Sequence, residues 1–285
     1  MVASGLCFVA VTGVVRYLGT DLPAPQSAFM RFAWGVVLLL PALPGLAAQV
    51  PAGAWRLVAG RGAVHTVAVT LWFYAMARLP VAEVTAIGYL NPVLVTLGAS
   101  VFFAERLALR RILAVLVAIG GALIVLRPGL RDLGPGHLAQ VGAAFAFAGS
   151  YLFAKGLSAR MGAGAVVATL SVSVTLGLAP LAAAVWVPLT QAQVLWLGVV
   201  AACGTAGHYC MTRAFAAAPL AVTQPVTFLQ LVWAAALGVL VFAEPLDPFV
   251  ILGGAVIIGA ISYIAWREAV LRRRAVTPAP GAAEV

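Results

Sequence analysis

Charged residues are scarce in this sequence: Asp, Glu, Lys and Arg make up only 9% of its 285 residues, whereas 64% are hydrophobic. Soluble domains carry about a quarter charged residues and about half apolar ones. A soluble fold of this length cannot hide so much apolar surface, and no segment is polar enough to form a soluble domain of its own. The composition therefore predicts an integral membrane protein, with the lipid bilayer as its main surrounding.

Acidic residues are the rarest charged type, since the chain has only eight of them and they form no Asp-rich cluster. An intramembrane prenyl or phosphate transferase needs such a cluster to hold a divalent metal, or else a nucleophile with its base. The Gly-rich phosphate loop of the Walker type is absent as well. These absences exclude an ATP-driven pump within the chain and leave an enzyme acting on a lipid-linked substrate only as the alternative function. A channel is a third hypothesis, but no selectivity-filter motif supports it.

Cysteine and histidine are also rare, at three residues each. Cys7, Cys203 and Cys210 lie in apolar runs without paired spacing, which indicates buried thiols rather than disulfides or metal ligands. His65 and His208 are far apart in sequence and lack the spacing of zinc ligands. We therefore expect no cofactor, no metal site and no catalytic residues.

Long apolar runs are abundant instead, and many can cross about 30 Å of hydrocarbon. Read between charges, Pro and Gly, they predict an all-α integral membrane fold with ten transmembrane helices. The predicted spans are 2–18, 26–47, 62–78, 81–104, 111–127, 137–157, 163–187, 191–212, 219–243 and 248–266. The residues 267–285 contain three consecutive Arg and a Pro/Ala/Gly stretch, and are predicted to be a disordered cytoplasmic tail.

The basic residues predict the orientation of these spans. With the N-terminus inside, 12 of the 17 Lys and Arg residues fall in inside segments. The positive-inside rule therefore favours cytoplasmic positions for both termini. Because the basic residues lie between apolar blocks, the net charge of +9 is explained by orientation, and no nucleic-acid partner is expected.

The chain also repeats itself at an offset of 139 residues. Pro80 aligns with Pro219 without gaps, and the segment Phe103-Ala-Glu105 then falls on Phe242-Ala-Glu244. The loop after the first of these segments is basic and the equivalent loop after the second is acidic, so equivalent loops have opposite charge bias. An odd number of helices in each repeat inverts the second copy.

We therefore predict two inverted five-helix repeats, residues 1–130 and 131–266. Inverted repeats are typical of secondary transporters, which bind substrate near the bilayer midplane between the repeats.

Three segments carry a family resemblance: Tyr74-Ala-Met-Ala-Arg-Leu-Pro-Val-Ala-Glu83, Phe103-Ala-Glu-Arg-Leu107 and Phe242-Ala-Glu-Pro-Leu-Asp-Pro248. With them the whole chain resembles the drug/metabolite transporter superfamily, in its EamA-type branch of ten-helix permeases. The resemblance implies a central cavity between two halves, alternating access and transport of amino acids, vitamins or related metabolites across a bacterial inner membrane. The Arg31-Phe32 start of the second helix and the Leu-Pro hairpin resemble permeases for S-adenosylmethionine or riboflavin-like cargo.

Side-chain amides next to helix kinks are the first candidates for substrate binding. Asn91 precedes Pro92 in the predicted fourth helix, where proline frees a backbone carbonyl group four residues back. Gln230 is the repeat partner of Asn91, and Gln224 precedes a second kink at Pro225. Because broken helices line transporter sites, these three amides are predicted to contact substrate.

Ionisable side chains inside the predicted spans each have two interpretations. Arg31 binds a substrate carboxylate or phosphate, or else it extends to the lipid headgroups. His208, and with less support His65, contacts substrate or relays a proton, or else bonds to a neighbouring helix. Glu83 is the candidate for proton coupling, or else a helix N-terminal carboxylate stabilised by the dipole.

Aromatic side chains can stack on a planar or cationic substrate, although they also serve as packing and as interfacial anchors. The candidates of this type are Trp72, Tyr74, Tyr89, Tyr151 and Trp233.

The remaining features are assigned structural roles. The pairs Gly120-Gly121 and Gly253-Gly254 favour close helix packing or a homodimer contact. The duplicated Glu105 and Glu244 are interpreted as capping groups or as partners of Arg.

Together these features predict a secondary transporter for a small metabolite, in which two halves rock around a midplane site. The sequence leaves open the substrate, the direction of transport, the coupling ion and the oligomeric state.

Overall fold

The computed structural model of this protein describes residues 1–102, 109–130, 132–158, 160–217 and 229–276. The chain in these ranges is almost entirely α-helical. Its helices are α1 (Val2–Leu18), α2 (Ala24–Leu38), α3 (Trp55–Met76), α4 (Val81–Gly88), α5 (Leu90–Phe102), α6 (Leu109–Leu126), α7 (Pro135–Ser158), α8 (Ala163–Ala184), α9 (Gln191–Ala217), α10 (Leu229–Phe242) and α11 (Pro248–Val276).

The connection between α2 and α3 differs from the prediction. The helix predicted over 26–47 ends at Leu38, and three short 3-10 turns follow it. Prolines at 41, 44 and 51 prevent a continuous α-helix there, because each lacks the backbone N–H. The next helix then begins at Trp55 rather than at 62. Arg61, which the prediction placed just before this helix, therefore lies inside α3.

The predicted fourth helix contains the expected kink. It is interrupted at Tyr89, between α4 and α5. Pro92 has no N–H to donate to the carbonyl oxygen of Gly88, four residues earlier, and the helix breaks next to that residue.

The last helix is longer than predicted. It continues to Val276, so the prediction of a disordered tail is wrong for residues 267–276. Residues 277–285, the rest of that prediction, lie outside the described part of the chain, as do residues 219–228 of the predicted ninth span.

Two helix starts in the described ranges carry caps from side chains close in sequence. The Asp247 carboxylate accepts a hydrogen bond from the backbone N–H of Phe249 at 2.9 Å, at the start of α11. Thr190 and Gln193 exchange side-chain and backbone bonds at the start of α9, which is the reciprocal arrangement of a capping box.

The helices pack in a pattern with an exchange symmetry. The packed pairs include α3 with α7, α1 with α9, α2 with α8, α6 with α11, and α4 with α10. If α4 and α5 count as one helix, exchanging the first five helices with the last five converts the α3–α7 pair into the α9–α1 pair. The same exchange leaves the other three pairs unchanged, as a duplicated five-helix unit requires.

Large apolar side chains cover much of the outer surface of the bundle. Leu138, Leu176, Leu195 and Leu240 are each more than 60% exposed. An apolar surface of this extent suits contact with lipid rather than with water. In the described residues, two stretches, Ala163–Ala184 and Gln191–Met211, have by themselves the length and apolarity to cross a membrane, and five further apolar stretches are shorter.

One end of the bundle is closed by polar contacts; by the predicted orientation it faces outside, and we call it the outer end. Arg16 and Glu244 form an ion pair there with 3.0 Å between Nε and Oε1. The second oxygen of Glu244 accepts a hydrogen bond from the Val81 N–H at the start of α4. The prediction that Glu244 caps a helix and pairs with an Arg is therefore confirmed, whereas Glu105 lies outside the described residues.

Two more contacts tie this end together. Arg127 pairs with Asp247. The amide of Gln26 both donates to the Val187 carbonyl oxygen and accepts from the Val187 N–H, at 2.8 and 2.9 Å.

The crossing of α6 and α11 depends on two glycines. A Cβ atom placed on Gly121 would lie 2.8 Å from the carbonyl oxygen of Gly253 and 3.1 Å from the backbone nitrogen of Ile257. A Cβ on Gly253 would in turn overlap the carbonyl oxygen of Gly121. The packing role predicted for these glycines is confirmed at this crossing, because only residues without a side chain let the two backbones approach so closely.

We expect Gly121→Ala to destabilise the protein by about 1–3 kcal/mol, because the new methyl group meets backbone atoms that cannot move independently. Gly120→Ala is the matched control, since a Cβ at Gly120 has no heavy atom within 4 Å. Thermal unfolding of the detergent-purified protein measures both. Equal melting temperatures for the two variants would contradict the close crossing.

Candidate functional site

Helix α3 brings two ionisable side chains to the centre of the bundle. Arg61 and His65 are four residues apart and therefore share one face of the helix. They are only 7% and 1% exposed. Because α3 starts at Trp55, six residues separate Arg61 from the helix start, a rise of about 9 Å. Both side chains thus lie within the span and not at its end.

Two glycines let α3 and α8 pack closely on the side next to these residues. A Cβ on Gly62 would lie 2.7 Å from the side chain of Ser173, and a Cβ on Gly177 would lie 2.5 Å from Oγ1 of Thr66. The short distances between these helices fix the position of α3 in the bundle.

Arg31 reaches the same region from α2. Its guanidinium group lies 3.9 Å above the ring of Phe32, and its side chain is 5% exposed. A Cβ on Gly204 of α9 would come within 2.5 Å of Nη2, so this glycine makes room for the guanidinium group. Of the two interpretations of Arg31, the structure agrees with an inward-facing side chain and not with one that extends to the lipid headgroups.

Both halves of the chain contribute to the surroundings of His65. Its Nδ1 lies 2.9 Å from Oγ of Ser150, and its ring contacts Phe147 with centroids 5.2 Å apart. The ring of Phe32 lies 5.9 Å away and that of His208 lies 6.4 Å away. We call the following residues the central cluster: Arg31, Phe32, Arg61, His65, Phe147, Ser150, Tyr151 and His208.

The central cluster is rich in positive charge. His65 and His208 each interact electrostatically with both Arg31 and Arg61, and Tyr151 interacts with Arg61. Arg61 donates from Nη1 to the carbonyl oxygen of Val166 at 3.1 Å. The Nε atoms of both arginines are buried without an acceptor in the described part of the protein. The cluster therefore has donors in excess of its own acceptors.

A second ionisable pair lies at the outer end. Glu83, in the first turn of α4, is 3.0 Å from Nε2 of His137 in α7, and both side chains are largely buried. Glu83 also lines a cavity of about 150 Å³ that Glu244 and Asp247 share. The candidate for proton coupling is therefore both a helix N-terminal carboxylate and the partner of a histidine.

The predicted midplane amides are not part of the central cluster. Asn91 is 8% exposed and makes a long 3.5 Å hydrogen bond to the carbonyl oxygen of Ala144. Gln230 lies against Gly5 of α1. Gln224 falls outside the described residues. A role in substrate binding stays a prediction for all three.

The predicted aromatic residues are divided between several places. Trp72 contacts Phe147, with ring centroids 5.7 Å apart, and so extends the central cluster. Tyr74 packs under the guanidinium group of Arg78 near the outer end. Tyr89 is buried in the apolar core at the α4–α5 break, whereas Trp233 is 39% exposed.

Several residues of these sites were not found from the sequence. Arg61 was interpreted only as an orientation signal, because the start of α3 was predicted one residue after it. Ser150 and Phe147 carry no sequence signal, since one Ser and one Phe in an apolar helix are common. His137 was assigned to the first residue of a predicted helix, and its contact with Glu83 depends on tertiary structure.

The cysteines and histidines show no metal site in the described ranges. No group of three or more His, Cys, Asp or Glu side chains occurs there with the geometry to hold a metal ion. The three cysteines are free thiols with partly exposed side chains.

Comparison with known proteins gives the context of this geometry. The sequence matches the EamA-like transporter family twice, over residues 1–127 and 134–266. It is 27% identical to a riboflavin transporter of Vibrio cholerae serotype O1, over 96% of this chain and 94% of that protein. It is 26% identical to an S-adenosylmethionine uptake transporter of Rickettsia bellii, over 89% of this chain and 87% of that protein.

A solved crystal structure has the same fold. It is 18% identical in sequence, with a TM-score of 0.61, and the match covers 96% of this chain and 99% of that chain.

These matches extend over nearly the whole chain and agree with its composition. They identify a multi-pass membrane protein that transports a small metabolite. The resemblance to the drug/metabolite transporter superfamily is confirmed. The chain belongs to the EamA-like transporter family.

Proposed function

We propose that this protein is a ten-helix secondary carrier in which two inverted five-helix halves, residues 1–130 and 131–266, rock about the central cluster. The observation that carries the proposal is the composition of that cluster. The first half supplies Arg31, Arg61 and His65, and the second half supplies Phe147, Ser150, Tyr151 and His208. A site built from both halves changes its access when the halves rotate against each other.

The organisation into halves is supported by two independent features. The helix pairs keep their pattern when the first five helices are exchanged with the last five. The two family matches divide the chain between residues 127 and 134. With an odd number of helices in each half, the second half has the opposite orientation, and both termini face the cytoplasm.

The contacts at the outer end suggest which state of the cycle this conformation represents. Each of them joins the two halves: Arg16 to Glu244, Gln26 to Val187, Glu83 to His137, and Arg127 to Asp247. We assign the conformation to a state that is closed to the outside. Opening the site to the outside then requires these four contacts to separate together. Substrate that binds one of the two states more tightly than the other shifts the equilibrium between the closed and open states.

The aromatic lining of the cluster favours a substrate with a planar ring. Trp72, Phe147, Tyr151 and His65 form a connected series of ring contacts next to the two arginines. The V. cholerae relative is named for riboflavin and the R. bellii relative for S-adenosylmethionine, so these two compounds are the first substrates to test.

We assign proton coupling to Glu83 together with His137. A buried carboxylate and imidazole 3.0 Å apart can share a proton, and the adjoining cavity gives that proton a route to the outer end. Glu244 and Asp247 also line this cavity, and they pair with Arg16 and Arg127 respectively.

Counterflow tests the carrier itself. We expect proteoliposomes loaded with unlabelled riboflavin or S-adenosylmethionine to take up the labelled compound without any ion gradient, because a carrier exchanges substrate on both sides. Phe147→Ala should raise the half-saturating concentration about three- to tenfold, since one aromatic contact contributes about 0.5–1.5 kcal/mol. Phe145→Ala is the matched control, two residues away on the same helix and 59% exposed.

Failure of every tested metabolite to exchange, in protein that purifies as a single species, would contradict the carrier. An enzyme acting on a lipid-linked substrate would consume its substrate and show no counterflow.

Glu83→Gln tests proton coupling. We expect this variant to retain counterflow but to lose accumulation driven by a proton gradient, because the amide cannot carry the proton. Asp21→Asn is the control, because Asp21 is an exposed carboxylate in the α1–α2 connection at the same end, and this variant should retain both activities at half or more of the wild-type rate. Accumulation by Glu83→Gln protein at the wild-type level would remove Glu83 from the coupling mechanism.

A further inference from the structure

Arg31 and Arg61 place two positive charges in the interior of the bundle. No acidic side chain that the structure describes forms an ion pair with either of them. Both side chains are at least 93% buried, and the Nε atom of each has no hydrogen-bond acceptor in the described protein. Arg61 donates to the carbonyl oxygen of Val166, and the guanidinium group of Arg31 lies over the face of Phe32. Removal of an unpaired charge from water is costly, so buried charges normally have counter-ions.

The acidic side chains that the structure describes lie at the outer end of the bundle. Glu83 faces His137, Glu244 faces Arg16, and Asp247 faces Arg127, all at the outer end. Asp21 and Asp132 belong to the outer connections α1–α2 and α6–α7. None of these five carboxylates is in an ion pair with either central arginine.

The two guanidinium groups face a common region. Arg31 lies over the ring of Phe32, which is 5.9 Å from the ring of His65, and Arg61 lies one helical turn before His65 on α3. The ring of His208 lies 6.4 Å from that of His65. Arg31 comes from α2 and Arg61 from α3, so the two cations approach the histidine pair from different helices. Gly204, rather than a larger residue, lies against Arg31 and leaves space for its donors.

We propose that Arg31 and Arg61 together bind an anionic oxygen group of the substrate, either a carboxylate or a phosphate, while the aromatic rings of the cluster hold a planar ring attached to it. The guanidinium fork matches both anions with paired hydrogen bonds. In this arrangement the substrate supplies the missing counter-charge, so the site is completed only when the anion is bound. This inference rests on the proposed carrier function and names the class of its cargo.

Two matched ligand pairs test the inference, because each pair shares its ring and differs in charge. Riboflavin 5′-phosphate against riboflavin probes the phosphate, and nicotinate against nicotinamide probes the carboxylate. We expect the detergent-purified full chain to bind the charged member of at least one pair about tenfold more tightly than the neutral member, as a charged hydrogen bond at a buried site provides. Titration by calorimetry or by ligand-induced thermal stabilisation measures the ratio.

Arg31→Gln and Arg61→Gln should each reduce this preference to about threefold or less while the affinity for the neutral member stays within about twofold. Arg213→Gln is the charge-matched control, because Arg213 is exposed and bonds to Tyr209 on its own helix. Arg31→Lys and Arg61→Lys keep the charge without the fork, and they provide the same comparison where a Gln variant does not purify.

Equal binding of the charged and neutral members by the wild type overturns the inference, as does a preference that persists in both arginine variants. Binding of no probe at millimolar concentration overturns it as well. The proposed carrier function is judged separately: counterflow of a neutral metabolite by the wild type, without any anion preference, would retain the carrier and reject the anion site. Absence of counterflow for all tested metabolites, with the anion preference intact, would reject the carrier and keep an anion-binding site.

Discussion

The separation of charge between the centre and the outer end is the constraint on which the rest of this structure depends. Charges are costly in a low-dielectric interior unless they are paired. At the outer end Glu244 pairs with Arg16 and Asp247 pairs with Arg127. At the centre Arg31 and Arg61 have no such partner among the described acids. The described ion pairs thus lie at the outer end, whereas the centre has an excess of positive charge that an anionic ligand can balance.

The helix packing makes this arrangement possible, because the same glycines that bring helices together also create the polar centre. Gly62 and Gly177 bring α3 against α8, and Gly204 admits the guanidinium group of Arg31 between α2 and α9. Away from the centre, Gly121 and Gly253 fix the crossing of α6 and α11. A larger residue at any of these positions would separate helices whose spacing sets the geometry of the cluster.

Much of the fold follows from the sequence because the rules for a bilayer are strict. A chain with so few charges must satisfy its backbone hydrogen bonds within helices, and the order and number of apolar runs then fix most of the elements. The helix break near Asn91 was also predictable, since Pro92 removes a specific backbone donor. The start of α3 was not, because Arg61 was interpreted as a charged residue of the segment before the helix. That interpretation kept Arg61 out of the predicted site.

The sequence by itself determined the class of protein, its helical elements and its family, since these depend on composition, apolar length and the motif repeated around Glu105 and Glu244. It also supplied candidates such as Arg31, His208 and Glu83, because ionisable groups are rare in membrane spans. Only the tertiary structure decided which of them meet. Residues far apart in the chain, such as His65 and Ser150 or Glu83 and His137, become neighbours through helix packing, and the local sequence around each contains no information on its partner.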